Sequence, residues 1–196
     1  LSSVSGGSAY SYFANTGNQR NQGIEASLGY VYSKENSFIK AIRPFANWSY
    51  YDFKYSDFKT VFEGALKDYT HKTVVGVPRN KVALGLDFDT KIGLYLNNTF
   101  SYLGDVYSDF ENTNLVKGFT QYNAKVGYKM SFGKFETDFY IAGNNLTNQI
   151  NYTFLFLGSN INDSDAGSQF GAQKTDLNPG PNKAYFFGGL NLKYHF

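Results

Sequence analysis

The 196-residue chain contains no cysteine and only four prolines. Without cysteine there is neither a disulfide scaffold nor a thiolate metal site. Charge of one sign is lacking too: 18 basic against 16 acidic residues leave a formal net charge of +2. No basic stripe of the kind that tracks nucleic acid is present, so no nucleic-acid partner is expected. No run approaches the roughly 18 apolar residues of a transmembrane helix, and no window carries a helical stripe. The chain begins at Leu1, with neither an initiator Met nor a signal peptide, and reads as a processed protein or a piece of one.

What is plentiful is aromatic. Seventeen Tyr, 19 Phe and one Trp make up 19% of the chain, a composition opposed to intrinsic disorder. The mean hydropathy of −0.39 suggests a water-soluble protein, but the order of residues contradicts it. In the last segment Phe186, Leu190, Leu192, Tyr194 and Phe196 fall on one face, with Asn191, Lys193 and His195 on the other. Val82, Leu84, Leu86 and Phe88 likewise oppose Lys81, Asp87 and Asp89. The same alternation recurs over 24–32, 121–130 and 134–141. A sustained period of two means strands with one apolar and one polar face.

The reading is an all-β chain of about eight antiparallel transmembrane β-barrel strands, near 8–15, 21–33, 39–56, 80–89, 91–106, 119–130, 134–156 and 184–196. Pro44 and a slip of the alternation at Tyr50–Tyr51 predict a bulge or bend there. Asn98 interrupts an otherwise apolar face. Tight connections at Ser33–Ser37, Asp89–Lys91 and Ser131–Lys134 alternate with long ones at 57–78, 105–118 and 158–183. Outer-membrane barrels have this asymmetry, with short periplasmic turns and long extracellular loops. A strand of about 11 residues tilted by ~40° climbs about 28 Å, enough for their apolar band of roughly 25 Å. Tyr30, Tyr32, Tyr128, Phe132, Tyr194 and Phe196 gather toward the short turns, and Trp48, Tyr50, Tyr102, Tyr152 and Phe154 toward the long loops. Rings with a polar tip suit the headgroup level at each end.

Four short motifs stand in order along the chain: Asn15-Thr16-Gly17 with Gln22-Gly23-Ile24-Glu25; Gly76-Val77-Pro78-Arg79-Asn80; Asn144-Asn145-Leu146-Thr147-Asn148; and the terminal Leu192, Tyr194 and Phe196. Together they resemble the C-terminal β-barrel portion of a TonB-dependent outer-membrane receptor. The first is similar to the family's N-x-G…x-G-[IV]-E hairpin, and the second to its V-P-x-H stretch, with Asn80 in place of His. The third resembles N-N-L-x-[DN], and the last resembles the terminal signal read by the barrel-assembly machinery. The resemblance implies that residues 1–196 are one section of a 22-stranded barrel with a plugged lumen. The plug domain, the N-terminal barrel strands and the region that engages the energy-coupling protein TonB would lie outside this chain. It also implies an outer-membrane location in a Gram-negative bacterium, contact with outer-membrane lipid, and uptake of a scarce small-molecule ligand such as a ferric siderophore or a cobalamin. The Asn178-Pro179-Gly180-Pro181-Asn182 segment favours the siderophore type. A second reading is a complete eight-stranded barrel serving as adhesin or anchor. It would need residues 8–15 to pair with 184–196, since open edges in lipid are costly.

Chemistry-bearing residues are few. His71 has Asp68 and Thr70 beside it but no nucleophile motif, so no catalytic residue, no cofactor and no metal is expected, and the protein is not read as an enzyme. Residues 162–167 have the flavour of a calcium loop, but position 12 counted from Asn162 is Gln173, where an EF-hand requires Glu. His195 is expected to be a hydrogen-bonded residue of the polar interior. Glu25, Lys81, Asp87, Asp89, Lys125, Lys129, Lys134, Glu136, Asp138 and Lys193 are expected on the inner face, paired across strands or against a plug. For ligand capture the charged or ringed loop residues are Arg20, His71, Lys72, Arg79, Tyr107 and Phe110.

Overall fold

A computed structural model describes residues 2–5, 8–11, 17–62, 65–156, 176–179 and 183–196. Seven long strands form one antiparallel meander in which each pairs with its sequence neighbour. They are β1 (Gly17–Gly29), β2 (Ile39–Phe62), β3 (Asn80–Thr90), β4 (Leu94–Leu103), β5 (Phe119–Phe132), β6 (Phe135–Asn144) and β7 (Tyr185–Tyr194). Of the eight expected strands, seven are therefore in the sheet. Residues Ser8–Ser11 instead pair with Ser2–Ser5 in a separate hairpin, and no ladder joins them to β7 among the described residues. The sheet is open, with β1 at one edge and β7 at the other.

The ladder is regular where alternation is clean and departs from it for local reasons. Gly29 pairs with Phe45 and Tyr32 with Ile42, but the pairing lapses between them. There Pro44 accepts the Tyr30 N–H at 3.0 Å and has no N–H to return. The register shifts in β2 fall at Lys40 opposite β3 and at Ser56 opposite β1, not at Tyr50–Tyr51. Asn98 does not break β4. Its amide donates to the Leu86 carbonyl at 3.1 Å, and its oxygen accepts the Tyr122 hydroxyl at 2.6 Å. The expected strand 134–156 ends at Asn144, because Asn145 and Asn148 take φ of 52°, a left-handed conformation that Asn tolerates well. Asn145 is fully buried, its N–H donating to Asn123 Oδ1 and its amide to the Gln149 carbonyl, both at 2.9 Å. A short strand, Tyr152–Phe156, then pairs with Asp176–Pro179. The calcium-like segment at 162–167 lies outside the described residues.

The packing is inside out by the standards of a water-soluble domain. Ile24, Leu28, Leu84, Leu86, Ile141, Leu190 and Leu192 all stand exposed on one face, Leu192 by 64% and Ile141 by 62%. Fully burying such a side chain is worth about 1.5–3 kcal/mol, so these seven, each 40–73% exposed, would forfeit on the order of 6–12 kcal/mol in water. A hydrocarbon solvent removes that cost. The face carries rings at both ends. At the short-turn end Phe132, Phe135, Tyr194 and Phe196 form a chain of contacts with centroids 5.1–5.6 Å apart. At the other end Trp48 lies 6.4 Å from Tyr50, and Tyr102 stands on the same face. The ten residues of β7 climb about 25 Å when tilted by ~40°. Among the described residues no helix is long and apolar enough to cross a membrane.

Candidate ligand-facing wall and loop cap

The opposite face of the sheet is polar and internally satisfied. Arg43 pairs with Asp89; Asn97 donates to Asp87 at 2.8 Å; the Tyr95 hydroxyl donates to Asp138 at 2.8 Å. The Lys125 amine lies 4.0 Å from the Tyr140 ring centre, and Lys129 lies 4.9 Å from that of Tyr95. His195 Nε2 sits 3.3 Å from Glu136, as expected of an interior histidine. Lys134 is a correction: it occupies the turn after β5, with its amine 5.8 Å from the Tyr194 ring on the apolar face. Near the short turns a cavity of about 210 Å³ is lined by Lys40, Asp89, Lys91, Tyr95 and Lys129.

A repeated device builds this wall. Tyr51, Phe45, Tyr95 and Tyr140 stand directly opposite Gly23, Gly85, Gly127 and Gly189. In each pair the ring lies over the glycine, and a Cβ there would collide with it. An aromatic ring can lie flat across its neighbour strand only where no side chain rises beneath it. The flattened rings then place hydroxyls far from their own strands. Tyr51 reaches Glu25 on β1 at 2.5 Å, and Tyr95 crosses all of β5 to reach Asp138 on β6.

At the long-loop end β2 rises well past the band, its 24 residues spanning roughly 60 Å at the same tilt. Its upper part supports a folded cap made from residues 65–79 and 104–118. Phe58, Tyr69, Tyr55 and Phe110 pack together with centroids 4.9–5.9 Å apart, and Phe58 and Tyr69 are buried. Asn112 locks the two loops by accepting the Thr73 N–H at 2.7 Å and donating to the Thr73 carbonyl at 3.0 Å. Asp109 accepts the N–H groups of Thr113 and Asn114, each at 2.9 Å. Lys67 pairs with Glu111 at 3.0 Å. Asp105 accepts the Gly118 N–H at 2.7 Å and the Lys117 amine at 2.9 Å, and these bonds hold its pKa below the usual carboxylate value. Burial pushes the Tyr69 hydroxyl up.

The residues expected to capture ligand separate into four places. Phe110 belongs to the aromatic centre of the cap. His71 is exposed in the left-handed region with φ of 68°, and Lys72 beside it donates to the Glu111 carbonyl at 3.0 Å. Arg79 and Tyr107 line a cleft of about 280 Å³ with Thr73, Asn80, Tyr102 and Leu115. Arg20 stands alone on β1, opposite Lys54. Near the long-loop end of the polar face the structure adds Tyr51, Lys81, Gln121, Asn123 and Tyr185, which a search for charged or ringed loop residues passes over because they sit in strands. Their signal in the sequence was parity with Glu25, Lys125 and Lys193. Among the described residues no three His, Cys, Asp or Glu side chains come together as metal ligands.

Residues 1–146 match the family model described as TonB dependent receptor-like, beta-barrel. The fold is similar to the siderophore receptor PiuA from Acinetobacter baumannii, with a TM-score of 0.64 and 17% identity over 97% of this chain and 24% of that one. A second similar structure is BauA, the ferric preacinetobactin receptor of the same organism, with a TM-score of 0.48 and 16% identity over 89% of this chain and 27% of that one. The chain thus spans about a quarter of the length of these receptors. No curated protein sequence matches it.

Proposed function

The chain belongs to the TonB-dependent receptor β-barrel family, and from that premise we propose that it forms part of the wall and extracellular loops of an outer-membrane transporter for a ferric siderophore. The observation that carries this reading is the two-faced sheet: an outward face of exposed Leu, Ile and Phe between two rings of aromatics, and an inward face of paired charges. The open edges at β1 and β7 leave backbone groups that cost several kcal/mol each in lipid unless further strands pair with them. N-terminal barrel strands of the same receptor supply that pairing in this reading. Its plug fills the lumen against the inward face, where Lys40, Lys91 and Lys129 offer cations to an acidic plug segment. TonB acts through that region, and the barrel-assembly machinery reads Leu192, Tyr194 and Phe196, which are presented on the outward face at the sheet's edge.

Ligand enters from the cap end and meets His71, Lys72 and Tyr107 on the loops, then Tyr51, Lys81 and Tyr185 on the wall. The siderophore class is carried over from PiuA as the first to test, with cobalamin as the competing cargo. No catalytic role is assigned. The test is uptake of radiolabelled ferric siderophores and cobalamin by cells expressing the full receptor, with and without TonB. Accumulation of a siderophore that vanishes without TonB supports the reading. Uptake that persists without TonB, or no uptake of either cargo, removes it.

A further inference from the structure

Of the inward rings in the membrane-spanning sheet, Phe45, Tyr51, Tyr95 and Tyr140 each lie across a glycine directly opposite on a neighbouring strand. Tyr185, the first residue of β7, is anchored instead by the Asn144 amide, which donates to its hydroxyl at 2.8 Å. Phe187, the next inward residue of β7, has neither anchor. Its one partner strand is β6, where Ala142 stands opposite, 5% exposed, and Lys125 follows in the same row. A methyl group and a lysine stem close the path that the other rings take. Tyr140 meets Phe187 edge-on, with centroids 6.4 Å apart and planes at 88°, and Tyr185 stacks on it at 6.3 Å. The direction left to the ring is the open edge of β7, and Phe187 is 46% exposed.

That edge must be paired in lipid, and alternation alone does not say in which register. A slip of one residue turns every side chain to the wrong face and is excluded. A slip of two keeps both faces, so a two-residue repeat permits it. A flat ring forbids it, because the position beneath must lack a Cβ, and a slip brings a different residue there. We propose that Phe187 lies across a glycine in the strand of the same receptor that closes against β7, and that this pair fixes the closing register. The inference rests on the reading that N-terminal strands complete the barrel. It goes further by naming the residue type at the seam and the side chain that selects it.

The test uses the full receptor assembled in lipid vesicles. Residues 1–196 contain no cysteine, and Asn191 is exposed on the inward face, opposite Asp138 and four residues from Phe187. Asn191→Cys is combined with single cysteines along the closing strand, and disulfide yields are read on assembled protein. Directly opposite cysteines can bond, whereas those two residues away stand about 7–8 Å off. One position should therefore crosslink about tenfold better than its neighbours two residues to either side. In an antiparallel pair the residue four places C-terminal to it faces Phe187 and should be glycine. That identity is read with Phe187 in place, so it does not depend on any ring variant folding. In Phe187→Ala the competing yields should come within about threefold of one another, and Phe187→Tyr should keep the original preference. Alanine at the glycine should speed unfolding about tenfold, and Phe187→Ala in the same chain should recover most of that loss. A residue other than glycine opposite Phe187 would overturn the proposal. So would an unchanged preference in Phe187→Ala, the result expected of a ring that rests on the plug or on ligand. Absence of any crosslink to the N-terminal strands would instead remove the closure itself, so the two failures are told apart.

Discussion

The wall and the cap use the same residues in opposite ways. In the wall Phe186, Phe139, Ile141 and Leu190 face outward while glycines sit beneath rings on the inner face. In the cap Phe58 and Tyr69 are buried, and charges such as Lys59, Asp68 and Lys117 stand outside. Both regions obey the same transfer free energy; what differs is the solvent. Hydrocarbon around the wall rewards apolar side chains left outside, and every backbone group there must be paired within the sheet. Water around the cap imposes ordinary burial, so the cap needs a small core of its own. The two should therefore fail separately.

The largest expected effect lies in the cap. Phe58→Ala removes a ring that touches Tyr55, Tyr69 and Phe110, a loss on the order of 3–5 kcal/mol for a buried Phe. Protease should then cut within 65–79 and 104–118 on intact cells, while the barrel keeps its heat-modifiable mobility. Loss of both together would show that cap and wall are one cooperative unit. Next comes the wall: Leu86→Arg should impair assembly by about 2–4 kcal/mol, the cost of Arg at the bilayer midplane. Asp87→Asn, one residue away on the inner face, keeps an acceptor for Asn97 and should assemble almost as wild type. Equal folding yields for the two variants would mean that the faces are assigned the wrong way round.

A smaller effect tests the ring-over-glycine device. Gly127→Ala places a Cβ under the Tyr95 ring, which must lift and release Asp138; the cost is about 1–3 kcal/mol. Tyr95→Ala in the same chain should recover part of it, and Gly29→Ala, where nothing lies within 4 Å, should be nearly neutral. Denaturant midpoints in lipid vesicles report all three.

Sequence read the wall well and the cap poorly, and the reason is periodicity. A two-residue repeat is local, so Val82 to Phe88 or Phe186 to Phe196 declared both strand and face without any knowledge of neighbours. The exceptions were misread where a partner decides the outcome. Asn98 looks like a break until the Tyr122 hydroxyl and the Leu86 carbonyl are seen beside it. Tyr50–Tyr51 looks like a slip, yet Tyr51 is an inward ring over Gly23 and Tyr50 an outward one. The cap had no local signal. Phe58, Tyr69 and Phe110 are far apart in the chain, so Phe110 read as a free ring available to ligand. Arg20 and Arg79 read as loop cations because nothing in the sequence shows that Arg20 stands in a strand opposite Lys54 or that Arg79 reaches the Thr73 hydroxyl.

The smallest effect separates cap from wall by pH. Asp105 holds the 104–118 loop through the Gly118 N–H and the Lys117 amine, which lower its pKa from the ordinary 3.8. A carboxylate whose folded pKa is depressed stabilises the fold above its unfolded pKa and loses that contribution as pH falls through the folded one. The loop should therefore loosen below about pH 4 and be unaffected by pH in the neutral range. Asp105 is 37% exposed at the side chain, so solvent screening keeps the effect to a fraction of about 1 kcal/mol. Protection of the Gly118 amide against hydrogen exchange, corrected for its intrinsic rate, should fall a few-fold between pH 5 and pH 3 (values chosen to bracket the reference carboxylate range). Asp105→Asn keeps an acceptor for the Gly118 N–H but carries no charge, so its protection should be lower at pH 5 and flat across the interval. The amide of Leu86, deep in the wall, should show no change in either protein. A pH response that survives Asp105→Asn would place the titrating group elsewhere in the cap, and an equal response at Leu86 would mean that acid loosens the whole barrel.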